Sequence, residues 1–322
     1  MEIRAVAFNV PWNDLGRVPG FLEAAERLSP RPLTVRVTVT TPPTGKAAWR
    51  AVESLRGMGV EYVAVGVYRG GDLAEFVEST GAFAALTSID GYLDFLDKAD
   101  RRGAPELARN VALSLGGLVY DTPYYPAAVA KRRGISLSLL YPDDLRASPA
   151  DVAPILKAGE KLGKSLAASL GEAFLGVDGS LSPWGERSVA RAVERLFGVR
   201  VGEPGTHYAV RSLNEAIWSS GVELVGFSEV MLPLAEDEEL KRLAEAGVLT
   251  VEKLASYASV CVAGLDMVPL EYSRPLLRRL LLDLEAMAKA KGRPIGVRIF
   301  PASGEYFEVP GFGRTPVLKL KG

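Results

Sequence analysis

Histidine and cysteine occur once each in the 322 residues, as His207 and Cys261; glutamine is absent, and asparagine stands only at positions 9, 13, 110 and 214. A single cysteine forms no internal disulfide, and one histidine with one cysteine gives no zinc-binding spacing. Any Ser-His-Asp triad would have to use His207, alone in the first turn of an expected helix, where an imidazole is more often a surface or structural group than a base. Positive charge is not in excess: the formal net charge is −1, so no nucleic-acid partner is expected. No apolar run approaches the ~18 residues that span a bilayer. The opening Met-Glu-Ile-Arg-Ala-Val-Ala-Phe lacks the basic stretch and long apolar run of a secretory leader. A cytoplasmic chain with no membrane partner is expected.

Motifs are also scarce. No Gly-x-Gly-x-x-Gly follows a strand, so no nucleotide motif is present. Thr44-Gly45-Lys46-Ala47 resembles a phosphate loop only briefly, with Thr40 where the upstream glycine belongs and Ala47 where Ser or Thr belongs. There is no His-Glu-x-x-His, no Cys-x-x-Cys and no nucleophile elbow. Acid–base work would therefore fall to carboxylates, tyrosines, the thiol or a metal-bound water. The shortage of amide side chains beside plentiful Arg and Glu is a habit of heat-adapted proteins, and a thermophilic source is expected.

What is present is an alternation of strands and helices. Ile3 to Val10 reads as a strand closed by Pro11, and Leu33 to Thr40 as a strand whose polar face carries Arg36. A helix is expected over 46–58, with Ala48, Ala51, Val52, Leu55 and Met58 at helical spacing and Gly59 as its terminator. Further strands are expected at 61–68, 135–141, 173–177, 222–225 and 294–300. Helices are expected over 149–170, 186–197, 206–219, 238–246 and 250–257, and again after Ser273. Eight to ten strands, most followed by a helix, define an α/β class with a largely parallel sheet, open or closed into a barrel. No linker marks a boundary, so residues 1–322 are expected to form a single domain, with the Gly- and Pro-rich tail from about 301 as an extension.

The chemistry concentrates in few places. In Ser256 to Pro269 the only cysteine is followed by Gly264 and Asp266 in a nearly apolar run. Arg36, Asp178, Asp266 and Arg298 stand inside or just past apolar strands, and sites in α/β folds form where strand C-termini meet. A buried charge needs a partner. Two aspartates and two arginines either neutralise one another in an ion-pair network or face a polar pocket. In the pocket, the arginines would grip a carboxylate or phosphate, and the aspartates would act as bases or hold a divalent cation. Cys261 reads as a small buried hydrophobe or as a nucleophilic or radical-carrying thiol, with nothing cationic adjacent to lower its pKa. The loop Asp121-Thr122-Pro123-Tyr124-Tyr125-Pro126 is a rigid connector or a pocket wall.

Five segments carry a likeness. In order they are Phe174-Leu-Gly-Val-Asp178-Gly-Ser180-Leu-Ser-Pro183, Gly205-Thr206, Met231-Leu-Pro233-Leu-Ala-Glu236-Asp237, Cys261-Val-Ala-Gly264-Leu-Asp266-Met-Val-Pro269 and Arg298-Ile-Phe-Pro301-Ala-Ser-Gly304. Together they resemble domain-of-unknown-function family 711, over most of the chain. The resemblance implies a fold similar to the glycyl-radical enzymes, a ten-stranded α/β barrel with an inner loop, for which the Cys261 segment is the natural candidate. The radical-glycine motif of those enzymes, Arg-Val-x-Gly-Tyr, has its nearest counterpart in Arg298 to Tyr306 at a different spacing, so glycyl-radical chemistry is not expected. Where the family continues after Pro269 with a Gly-Asp turn, this chain has Leu270-Glu271-Tyr272-Ser273, and no role of that aspartate carries over.

The expected function is that of an enzyme acting on a small anionic metabolite. Asp178, Cys261 and Asp266 are the candidate catalytic residues; Arg36, Ser180, Arg298 and Tyr124 are the candidate binding residues. The alternative is a non-catalytic metabolite-binding or regulatory protein on the same fold. The cofactor is open, a divalent metal included, and so is association with a second copy of the chain.

Overall fold

The computed structural model describes residues 2–320. Four strand–helix units come first: β1 (Glu2–Val10), α1 (Val18–Glu26), β2 (Thr34–Val39), α2 (Gly45–Gly57), β3 (Tyr62–Val67), α3 (Leu73–Thr80), β4 (Phe83–Leu86) and α4 (Ile89–Arg101). After β5 (Val111–Leu115) the chain makes two short strands, β6 (Val119–Tyr120) and β7 (Ala128–Val129), on either side of the tyrosine loop. It continues through β8 (Gly134–Leu140), α5 (Val152–Leu170), β9 (Phe174–Asp178), α6 (Val189–Phe197), α7 (Thr206–Trp218), α8 (Glu238–Glu245) and α9 (Val251–Tyr257). The last elements are β10 (Val268–Glu271), α10 (Arg274–Lys291), β11 (Ile295–Val297), β12 (Ile299–Ala302), β13 (Tyr306–Val309) and β14 (Gly313–Pro316).

Local chemistry sets many of the helix ends. Thr44, whose residues mimic the start of a phosphate loop, instead caps α2 by accepting from Ala47 N. Asp72, Ser88, Ser188 and Thr250 cap α3, α4, α6 and α9 in the same way. Asp237 caps α8 through Glu239 N and Leu240 N and also accepts from Val189 N and Ala190 N at the start of α6. One carboxylate thus ties two helix N-termini, where the dipole favours negative charge.

The central sheet has eight strands in the order β11-β5-β4-β3-β2-β1-β8-β9. β1 to β5 run parallel, as the alternation predicts. β8 and β9 are parallel to each other but antiparallel to β1, and β11 is antiparallel to β5. The sheet is therefore mixed, and largely parallel as expected, with antiparallel pairings only between β1 and β8 and between β11 and β5. Backbone bonding continues past both edges. Gly296 N donates to Val262 O at 2.9 Å, Val262 N to Val230 O at 3.3 Å, and Met231 N to Leu181 O at 2.9 Å, just beyond β9. The expected strand at 222–225 appears as a bridge between Val177 and Leu224. The expected strand at 294–300 is split at Arg298, where the chain leaves β5 and joins β10 through β12.

The two faces of this sheet differ. Val6, Phe8, Val37, Val63, Leu113 and Leu137 face the helices and belong to the main hydrophobic core, each large side chain contributing about 1.5–3 kcal/mol by its burial. By register the opposite face carries Ala5, Ala7, Arg36, Thr38, Ala64, Ala85, Ala112, Ser136, Ser138 and Asp178. These small and polar residues leave room for the tyrosine loop: Tyr124, Tyr125 and Ala127 pack with Ala5, Ala85 and Ala112 in a separate inner cluster. The approach is close, since a Cβ on Gly296 would lie 2.6 Å from the Tyr125 hydroxyl. The residues against the inner face are thus the tyrosine loop with Val262 and Ala263, whereas the Cys261 side chain belongs to the main core.

Candidate functional site

A cavity of about 170 Å³ opens where β1 to β4 begin. Arg4, Thr34, Arg36, Tyr62 and Phe83 come from the first residues of those strands, and Arg109 stands two residues before the start of β5. Trp184, Glu236 and Arg298 approach from segments that follow β9 and β11. Tyr124 and Pro126 of the inner loop form a wall, and Pro310, Gly311 and Phe312, the turn between β13 and β14, close one side. A site is expected at the strand C-termini; the cavity adjoins the C-terminal ends of the antiparallel strands β9 and β11 only. Seen from β1 to β5, the cavity is at their N-terminal ends, because β9 and β11 run the opposite way.

The floor is an ion network. Arg298 grips Asp266 side-on, Nε to Oδ1 at 2.6 Å and Nη2 to Oδ2 at 2.7 Å, and Nη2 also reaches Glu236 Oε1 at 2.9 Å. Glu236 Oε2 receives Arg4 Nη2 at 2.7 Å, and the Tyr125 hydroxyl donates to Asp266 Oδ1 at 3.0 Å. All four charged groups are buried. Burial alone would raise the Glu236 carboxyl, but the guanidinium groups of Arg298 and Arg4 outweigh it and hold it below the usual carboxylate range. Complete burial pushes Asp266 up against the pull of Arg298. The two-pronged contact is that of an ionised pair, and Arg298 is kept charged despite its burial. Aromatic faces orient the arginines: Arg4 lies over Tyr124 and Trp184, Arg298 over Tyr125.

Arg36 differs from these. Its guanidinium donates to Thr34 Oγ1 at 3.1 Å and Tyr124 O at 2.6 Å and lies over the rings of Tyr62 and Phe83, but among the described residues it forms no ion pair. Burial, with the charge of Arg4 nearby, lowers its pKa to about 9. It still carries its proton at neutral pH, and the lowering expresses the cost of an uncompensated charge. Arg109, also without an ion pair among the described residues, donates to Asn110 Oδ1 and Pro310 O, each at 3.3 Å.

Of the residues singled out from the sequence, Arg36, Tyr124 and Arg298 meet at the cavity, with Asp266 held behind Arg298. Of the four strand-end charges, Arg298 and Asp266 pair with each other, whereas Arg36 forms no ion pair among the described residues. Asp178 and Ser180 are buried elsewhere. Asp178 accepts from Thr122 Oγ1 at 2.7 Å, Ser180 Oγ at 2.5 Å, Ser180 N at 3.1 Å and Ser228 N at 3.2 Å, and so pins three loops. Cys261 packs among apolar side chains, and burial pushes its thiol up to about 12. It is expected to resist a disulfide exchange reagent at pH 8 in the native protein and to react fully in denaturant. Rapid labelling of the native thiol would overturn this placement. His207 is exposed on α7 beside Tyr257. Among the described residues no three His, Cys, Asp or Glu side chains gather as metal ligands.

Sequence reasoning passed over Arg4, Glu236, Arg109 and Tyr62. Arg4 has a concrete reason: the β1–β8 register slips between Ile3 and Ala5. Arg4 is the extra residue of that bulge and turns toward the cavity, where simple alternation would send it to the core. Bulges commonly re-aim a side chain beside a site. Glu236 lies in one of the segments that carry the family likeness, which was the available signal.

The molecule is thus an α/β protein with a mixed sheet and an arginine-lined cavity where the first strands begin. Residues 99–307 match the family model described as Uncharacterised ACR (DUF711), and the chain belongs to that family. It is 33% identical over 231 residues to the UPF0210 protein of Methanopyrus kandleri, a stretch covering 68% of this chain and 49% of that protein. Against the UPF0210 protein of Pyrobaculum arsenaticum it is 29% identical over 250 residues, 73% of this chain and 54% of the relative. Identity to the UPF0210 protein of Pelotomaculum thermopropionicum is 32% over 233 residues, 68% and 49% of the two chains. The matched part of the chain thus spans about half the length of these curated relatives.

Proposed function

We propose that this protein holds a small anionic metabolite in the arginine-lined cavity. The observation that carries the reading is a pair of guanidinium groups, Arg36 and Arg109, at one cavity with no carboxylate partner among the described residues. An uncompensated, partly desolvated charge carries a cost, which at these half-buried side chains falls well short of that of full burial. A carboxylate or phosphate would remove that cost through charge-assisted bonds to the guanidinium fork. The volume, about 170 Å³, is close to the ~150 Å³ that accommodates benzene, so the ligand has roughly six to ten non-hydrogen atoms.

Turnover of that ligand is the second reading. It is favoured by Asp266 and Glu236, whose surroundings push one carboxyl up and the other down, a division that commonly separates acid from base. Against it stands the engagement of both Asp266 oxygens by Arg298 and Tyr125. Binding is therefore the conclusion the geometry supports best.

We also read the curled sheet as the ten-stranded ring to which the family resemblance points. Support comes from the backbone bonds leading from β11 through 262–265 and 230–232 to Leu181, and from the tyrosine loop packed against the inner face.

The test is titration calorimetry with small carboxylates on the whole chain and on its Arg36→Met variant, which should bind about 10- to 100-fold more weakly. An anion bound to Arg36 raises that group's pKa. Affinity should therefore stay level from pH 6 to 8 and fall as pH rises past the free value of about 9. Binding indifferent to Arg36→Met would refute the reading.

A further inference from the structure

Resting on that reading, we infer that the occupant is a dianion held between Arg36 and Arg109. Four guanidinium groups line the cavity, those of Arg4, Arg36, Arg109 and Arg298. Two carboxylates answer them, Glu236 between Arg4 and Arg298, and Asp266 behind Arg298. Two positive charges remain, and they sit on the two arginines that have no ion pair among the described residues. A monoanion would neutralise one of them and leave the other bare.

The aromatic residues do not point to a flat aromatic ligand. Guanidinium groups already cover faces of Tyr62, Phe83, Tyr124 and Trp184. Phe312 meets Trp184 edge-on, with ring centres 5.6 Å apart. These rings hold the arginines in place and leave the guanidinium edges for the ligand. Arg36 is on β2, Arg109 just ahead of β5, and Tyr62 on β3 feels the charge of both. The Arg109 contact to Pro310 O, at 3.3 Å, is long, and an anion would exchange it for a stronger bond. A short dicarboxylate and a phosphate dianion share this chemistry.

Calorimetry at pH 8 with succinate, malonate and inorganic phosphate, against butyrate and acetate, tests the charge directly. Succinate should bind about 10- to 100-fold more tightly than butyrate, the worth of one more charge-assisted hydrogen bond. Arg109→Met should abolish that preference and spare monoanion binding, and Arg109→Lys should keep part of it. Phosphate binding as tight as succinate, lost in the same variant, would identify a phosphoryl group as the ligand's anionic end; weak phosphate beside tight succinate would identify a dicarboxylate. Butyrate equal to succinate, with both weakened by Arg36→Met, would overturn the dianion and leave the anion site standing. No binding that depends on Arg36 would remove the site, and this inference with it.

Discussion

Arg298→Met is expected to destabilise the protein by about 3–5 kcal/mol, because it leaves Asp266 and half of Glu236 without their cation in a buried place. The cost comes from the carboxylate left behind and not from the intrinsic worth of the pair. The double variant Arg298→Met with Asp266→Leu should therefore recover a large part of the loss, as buried ion pairs replaced by apolar groups often do. Guanidinium chloride midpoints of the parent, both single variants and the double variant give the coupling. Single variants costing under about 1 kcal/mol, or a double variant costing the sum of the two, would show that the network carries no such strain. Acid should weaken the network as well. Glu236 is held below its ordinary value, so its contribution is complete above the unfolded glutamate value, about 4.3, and disappears as pH falls through the lower folded value. Glu236→Gln should remove that part of the acid sensitivity. Asp266, pushed the other way by burial, contributes with the opposite sign.

The same network explains what could be read from the sequence. Arg298 and Asp266 were visible because each is a lone charge in an apolar run, and such a run is buried whatever the fold. Their pairing was one of two outcomes left open, and only the chain path decides it: Arg298 N bonds to Leu265 O at 3.1 Å, which puts the two side chains on adjacent backbones. Arg36 was visible by the same rule, but its lack of an ion pair among the described residues depends on where Glu236 falls, some two hundred residues later. Alternation located β1 and β2 within a residue or two, since period-two burial is a local property. It failed at Arg4, where one extra residue reverses the face. It also could not give the direction of β8 and β9, because a buried strand reads alike in either direction, and that direction puts the cavity at the N-terminal ends of β1 to β5.

The tyrosine loop shows how a polar inner face and a site arise together. An inner face of alanine, serine and threonine cannot close on itself, so something must fill it. Residues 119–129 do so with two aromatic rings, which the alanines admit. Once there, Tyr124 offers its carbonyl to Arg36 and its ring to Arg4, while Tyr125 offers its hydroxyl to Asp266 and its ring to Arg298. Each charged group at the cavity floor except Glu236 touches this loop. The geometry of the cavity is therefore set by the packing of this loop.

Gly226→Ala is expected to be as costly as the loss of Arg298, about 3–5 kcal/mol. Gly226 has φ +65°, a left-handed conformation costing an L side chain roughly 1–2 kcal/mol. An added Cβ would lie 2.1 Å from Asp178 Oδ2 and 2.9 Å from Thr122 Cβ. Asp178 cannot yield, since Thr122, Ser180 and Ser228 hold it in place by four hydrogen bonds, and forcing it aside strips bonds from a buried carboxylate. Asp178→Asn should cost far less, about 1 kcal/mol. The amide oxygen keeps the bonds from Ser180 and Ser228, its nitrogen can donate to the Thr122 hydroxyl, and burial already raises the pKa of this carboxyl. Asp178→Ala should cost about 3 kcal/mol and at the same time open space for the new methyl group. The double variant Gly226→Ala with Asp178→Ala should then cost clearly less than the two singles added together, by about 1–2 kcal/mol. Strict additivity would place the penalty in the backbone of Gly226 alone. Anion binding at Arg36 should survive Asp178→Asn unchanged, because Asp178 is outside the cavity lining. Lost binding in a folded Asp178→Asn protein would return that residue to the functional site.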